Sequence, residues 1–351
     1  MLFRSSQRTA GLIALATLAA CAGEQATTPM TPVDDTTPRS VLAAMNGLAS
    51  ASSQATDESS ERVELKTRGQ LEAFRNAASR SGGGTGIFYH GGPVLQSGTK
   101  VAAVYWASAP IYNSAPAAGT HGAGSSDASL IGTFLRGLGG SPYFNINHSY
   151  TNGSGQAIVN SLSYTQYWAN NTSVPSNGAS VSDAQMVAML QAGFNNGSIT
   201  YDASTVYAIF TAGTVNLGGG FGTQYCAYHT HGTVTVNGAS KTVLYAAMPY
   251  DYAYASACTS SLAAANGSLD KGADYEVNTL GHEIEETTTD MMGTAWYDNR
   301  GYENADKCAW TWGATYTTAA GGKANMNLGG RDFLVQQNWV NSGTGGCKLS
   351  F

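Results

Sequence analysis

From Ile87 to its end the chain has fifteen carboxylates, and ten of them fall in the 37 residues between Asp270 and Asp306, opposed there only by Lys271 and Arg300. The density peaks in GHEIEETTTD, residues 281 to 290, with four carboxylates and one histidine in a protein that is only 11% charged. The same stretch carries an apolar stripe. Val277, Leu280, Ile284 and Met291 follow one another at steps of three, four and seven, which predicts an amphipathic helix over 274–291. His282 and Glu286 then share one helix face, with Glu283 beside them. A solvated face would set Lys or Arg one turn away, but none lies within four residues of Glu283 or Glu286. Uncompensated like charges cost about a few tenths of a kcal/mol each, and Thr287, Thr288 and Thr289 are poor helix formers. The fold must supply what the helix lacks, and a bound cation would do so.

H-E-x-x-E is one substitution away from H-E-x-x-H, the zinc-peptidase helix. The spacing sets His282 and Glu286 on one side of a metal and lets Glu283 reach a metal-bound water. A further ligand has to come from elsewhere. GYENADKCAW, residues 301 to 310, offers Glu303 as that ligand, with Asp306 three residues on to hydrogen-bond the other imidazole nitrogen of His282. One His and two Glu leave a zinc site formally neutral, a weaker Lewis acid than a site of two His and one Glu. The expected cofactor is one divalent metal, zinc first, with Ca or Mn as the alternatives that oxygen ligands allow. Tyr297 fits an oxyanion stabiliser and fits equally well as packing beside Trp296. His229 and His231 alternate in CAYHTHG; they fit zinc ligands on one strand face, and they fit a turn beside a disulfide. His90, before Gly91 and Gly92, fits a tight turn, while His121 and His148 stand in polar loops with no partner constellation.

The remaining composition narrows the function classes. A net charge of -6 leaves no basic stripe for a nucleic-acid backbone. No G-x-S-x-G points to a serine hydrolase, and NLGGGFG (216–222) lacks the ending of a phosphate loop. At the N-terminus, Arg4 and Arg8 precede the apolar run Gly11 to Ala20, and LAAC ends at Cys21. This resembles a bacterial lipobox, giving a lipoprotein signal peptide over 1–20 and a lipidated Cys21, with an ordinary secretory signal as the alternative. Residues 21–84 read as a Thr/Pro/Ser-rich tether containing a short helix within 60–80, and residues 85–351 read as a single domain. The expected location is the bacterial cell envelope, anchored to a membrane through Cys21, or the medium if the lipobox is not used. Setting Cys21 aside leaves four cysteines and three pairings. Cys226–Cys258 and Cys308–Cys347 are preferred because each closes a moderate loop.

Strands are predicted at 100–108, 205–212, 232–238, 241–250 and 331–340, and further helices at 127–140 and 182–197. The mixture predicts an α+β (or α/β) domain with a mixed β-sheet. Several stretches also resemble one family. YHGGPVL (89–95), THG (230–232), GHEIEETTTD, AWYDN (295–299), ENADKC (303–308) and FLVQQNW (333–339) are similar, in order, to the phosphate-induced, EXORDIUM-like proteins. The resemblance runs from about residue 85 to 350. It implies an extracellular, zincin-like domain in which H-E-x-x-E is a family trait, and it brings no assigned reaction. Together these readings point to a surface-anchored metal-dependent hydrolase, zinc metallopeptidase-like, acting on a peptide or a cell-wall glycan. In it His282, Glu286 and Glu303 bind the metal, Glu283 is the general base and Asp306 orients His282. The alternative is a non-catalytic cell-envelope or glycan-binding protein whose carboxylates hold a structural metal.

Overall fold

KVAAVYWAS is apolar in both alternating registers, the pattern of a strand covered on both faces, and it lies inside a mixed sheet. A computed structural model of the chain describes residues 62–67, 86–260 and 270–351. The signal segment 1–20, Cys21 and most of the tether 21–84 lie outside the described residues. In chain order the elements that matter are β1 (Val63–Lys66), β2 (Phe88–Tyr89), β3 (Thr99–Trp106), β4 (His121–Ala123), β5 (Leu162–Asn170), β6 (Thr205–Thr211), β7 (Tyr225–Val236), β8 (Ala239–Met248) and β9 (Trp296–Tyr297). The helices are α1 (Leu130–Leu138), α2 (Asp183–Asn196) and α3 (Lys271–Thr289).

Seven strands form one sheet in the order β1-β7-β8-β6-β3-β5-β4. Its centre, β8-β6-β3-β5, is parallel, while β7, β1 and β4 join antiparallel toward the edges. Alternation along each strand sorts side chains to two cores. Val101, Ala103 and Tyr105 face α1 and α3 and pack with Phe134, Leu138, Val277, Leu280 and Ile284. Ala102, Val104 and Trp106 face α2 and pack with Met186, Met189 and Leu190. The architecture is α+β with a mixed sheet between helical layers.

Local signals account for the helix ends. Ser182 and Gln185 form a reciprocal capping box on α2, and Gly197 closes it at φ 77° in the left-handed region. Ser129 caps α1 in place of Asp127, whose carboxylate instead accepts from the Ser129 amide and from the Tyr105 and Tyr164 hydroxyls. Asp270 caps α3, which therefore starts earlier than its apolar stripe implies.

Three expectations need correction. Val63–Lys66, read inside a short helix, is a strand paired to β7, because Val63 and Leu65 alternate toward the interior. The strand predicted over 331–340 is two short strands, Arg331–Phe333 and Asn338–Val340, in separate hairpins. The turn reading of CAYHTHG fails too, since β7 runs straight through it. Cys226 and Cys258, and likewise Cys308 and Cys347, stand at disulfide distance as expected, with Cα atoms 5.3 and 5.5 Å apart. In YHGGP, Gly91 has φ 98° and Gly92 lies so close to the Thr294 backbone that a Cβ would collide with it. The loop thus docks β2 against β9, just beyond the end of α3.

Candidate metal centre

Every residue of α3 from Gly272 to Thr289 is buried, so the most acidic segment of the chain runs through the interior. The sheet covers one side, and segments elsewhere wrap the rest. The Leu95 amide donates to the Thr288 carbonyl at 3.0 Å, and the Gln336 amide donates to the Asn278 side chain at 2.7 Å. The threonines that disfavour an isolated helix are used here. Thr287 and Thr288 donate their hydroxyls to the carbonyls of Glu283 and Ile284, so these buried hydroxyls are satisfied within the helix itself.

Six histidine and carboxylate side chains, of types that can ligate a metal, converge from three places: His229 on β7, His282, Glu283 and Glu286 on α3, and Glu303 and Asp306 beyond β9. His282, Glu283, Glu286 and Glu303 are 0% exposed, His229 1% and Asp306 4%. His282 Nε2 lies 3.1 Å from Glu286 Oε1 and 3.5 Å from Asp306 Oδ1. His229 Nδ1 lies 3.2 Å from Glu283 Oε2 and 3.6 Å from Glu286 Oε2, and its Nε2 lies 3.8 Å from Glu303 Oε2. The Asp306 amide donates to Glu286 Oε1 at 2.8 Å. Among the described residues, Glu283 Oε1, Glu286 Oε2, Asp306 Oδ1 and His282 Nδ1 have no hydrogen-bond partner.

The electrostatics of such a cluster are costly without a cation. Burial pushes the Glu283 carboxyl well above its usual range. Burial, and next the charge of Asp306, push Glu286 up to about 7. Burial alone would lower the imidazolium of His282, but Glu286 and Asp306 outweigh it and hold that group well above its usual value. The basic side chains of the neighbourhood are drawn elsewhere: Arg300 and Lys307 reach Asp298 at 3.1 and 3.2 Å.

The donors suit a divalent ion. Bonds of about 2.0–2.2 Å to a tetrahedral zinc put neighbouring ligand atoms roughly 3.3–3.6 Å apart. The imidazole–carboxylate separations of 3.5, 3.6 and 3.8 Å are too long for good hydrogen bonds and close to that spacing. Two sets of donor atoms, His229–Glu286–Glu303 and His282–Glu286–Asp306, each lie within 4.8 Å of one another and can hold a metal.

The structure gathers the expected residues but groups them differently. Glu303 joins His229 instead of His282. Asp306, expected on the far nitrogen of His282, faces the same Nε2 as Glu286, because the Asp306 amide is tied to that glutamate. Tyr297 lies on β9 with its ring stacked on His90 at 3.7 Å, an arrangement that also brings His90 Nε2 within 3.2 Å of the Tyr297 carbonyl oxygen. His229, like His231 and Tyr297, is a residue whose role the sequence leaves open. Its signal was the alternation with His231, yet His231 is only half-buried and belongs to neither group. Two further parts of α3 bury acid groups that the motif did not flag. Glu276 accepts from the Asp251 amide at 3.2 Å, and Glu285 sits fully buried beside the Asn147 and Asn338 side chains.

A cavity of about 360 Å³ opens at the C-terminal ends of β3 and β5, lined by Trp106, Trp168, Asn170 and α2. Trp106 and Trp168 belong to the core on the α2 face, so this cavity lies across the sheet from the cluster. Comparison with protein-family models, with curated proteins and with solved structures found no match to this chain.

Proposed function

We propose that this chain is an exported cell-envelope protein built around a buried divalent-metal centre, and that the centre holds the interior together. The observation that carries this reading is the cluster itself: two histidines and four carboxylates with exposures of 0 to 4%, on separate segments of chain. Burying four carboxylates beside only two imidazoles is strongly unfavourable, and a divalent ion offsets it while tying β7, α3 and the 303–306 segment together. Zinc is the first candidate because two imidazoles contribute. The spacing of His282, Glu283 and Glu286 and the downstream Glu303 support a zincin-like, EXORDIUM-like arrangement, and the lipobox-like LAAC supports anchoring through Cys21. The test is a melting curve of the full chain, purified without chelator, before and after EDTA. The melting temperature should fall on chelation and recover with added zinc. An unchanged curve, with no metal in the untreated protein, would sink the reading.

One observation favours the hydrolase reading as well. Glu283 follows His282 and has one oxygen, Oε1, without a hydrogen-bond partner, which suits a general base. Under that reading Glu283→Gln keeps the metal and abolishes cleavage of a peptide or cell-wall glycan library by the wild type. Under the structural reading neither protein cleaves, and His282→Ala lowers the melting temperature.

A further inference from the structure

We propose that the centre holds two divalent ions bridged by Glu286. This rests on the metal-centre reading above and adds the number of ions and their arrangement. The donors divide into two groups that have one residue in common: His282 and Asp306 with Glu286, and His229 and Glu303 with Glu286. The shared carboxylate presents a different oxygen to each histidine. Its Oε1 is 3.1 Å from His282 Nε2 and also accepts the Asp306 amide at 2.8 Å. Its Oε2 is 3.6 Å from His229 Nδ1, buried and without a hydrogen-bond partner. A carboxylate offering one oxygen to each of two donor groups is a bridging ligand, and paired ions of this kind stand about 3.5–4 Å apart.

Charge balance points the same way. Glu283, Glu286, Glu303 and Asp306 contribute four negative charges, and the two histidines are neutral as ligands. One divalent ion leaves this buried group at a net charge of about -2, and two leave it neutral, the state that a low-dielectric interior favours. Glu283 stands outside both donor groups and supplies charge and orientation: its Oε2 hydrogen-bonds His229 Nδ1 at 3.2 Å, while the other ring nitrogen, Nε2, is 3.8 Å from Glu303 Oε2. Two imidazoles and four carboxylates are also the side chains gathered in the dinuclear carboxylate centres found in helical bundles; here two imidazoles and three carboxylates form the donor groups, with Glu283 hydrogen-bonded to His229, on a strand, a helix and a loop. One imidazole and several carboxylate oxygens per ion suit Mn, Fe(II) or Zn.

The experiment is metal counting on the full chain, saturated separately with zinc and with manganese, then desalted. Two ions per chain are expected, falling to one in Glu303→Ala and in Asp306→Ala. The manganese-loaded wild type should give the exchange-coupled multiline spectrum of a bridged pair by low-temperature electron paramagnetic resonance. This readout needs no variant to fold. One ion per chain with the six-line signal of isolated manganese overturns the pair and leaves a single-metal centre standing. Absence of bound metal overturns both. Two zinc ions whose number falls in neither variant put the second ion elsewhere, and overturn the bridge.

Discussion

Asp274, in the first turn of α3, has both carboxylate oxygens buried without a hydrogen-bond partner among the described residues. Burial, and then the charge of Asp270, push its carboxyl up to about 7 against the pull of Arg331. A carboxyl raised in the folded state binds its proton more tightly there than in the unfolded chain. The contribution of this group to stability is therefore greatest in acid and is lost as pH rises from the ordinary value of 3.8 through about 7. Asp274→Asn removes this dependence. We expect the variant to match the wild type near pH 4 and to melt progressively higher than it between pH 5 and 8, read from melting curves across that range. A wild-type advantage that persists at pH 8 would mean that the ionised carboxylate has a partner worth more than its burial costs. The same burial raises the carboxyls of Glu283 and Glu286, so the cost of the fold is concentrated at a few buried acid groups.

At the scale of the element, α3 is a helix that its own sequence supports weakly. Its last turn has three adjacent threonines, and its acidic face has no basic partners one turn away. Tertiary contacts compensate. Thr288 donates to the Ile284 carbonyl at 2.7 Å, its hydroxyl lies 2.9 Å from that of Thr99 on β3, and its carbonyl accepts from the Leu95 amide at 3.0 Å. Thr288→Val keeps the shape and removes the hydroxyl, so the buried Thr99 side chain loses that neighbour. The expected cost is about 1–3 kcal/mol, read from denaturant unfolding as a lower midpoint with an unchanged slope. No shift in the midpoint would show that the Thr99–Thr288 contact does not hold the helix to the sheet.

For the whole molecule, β1 matters more than its four residues suggest. It covers the edge of β7 with Val63 opposite His229 and Leu65 opposite Ala227. Leu65 packs with Cys226, Cys258 and Trp310, and the Trp310 indole donates to the Lys66 carbonyl at 3.0 Å. Arg62 pairs with Asp183 at the start of α2 at 2.7 Å. A chain begun at residue 82 would leave β7 as an exposed edge beside the His229–Glu283–Glu286 cluster. We expect it to melt lower than the full chain and to self-associate in light scattering. Equal melting temperatures and a monodisperse sample would contradict this role for β1.

The sequence by itself determined much of the local structure. Periodicity and caps located α1, α2 and α3, and runs of β-branched and aromatic residues marked the central strands, since both signals lie within a few neighbouring residues. The acid cluster was legible for the same reason: His282, Glu283 and Glu286 are neighbours on one helix, and the missing basic partners can be read along the chain. Tertiary structure alone decided which donors meet. His229 stands 53 residues before His282, and only the pairing of β7 beside β8 brings it over α3. Glu303 and Asp306 were expected around one histidine but divide between two, because the turn carrying them anchors its amide on Glu286. Val63–Lys66 became a strand because an unpaired edge of β7 was there to receive it. Ligand grouping, edge pairing and burial depend on distances between remote segments, and no local pattern encodes those.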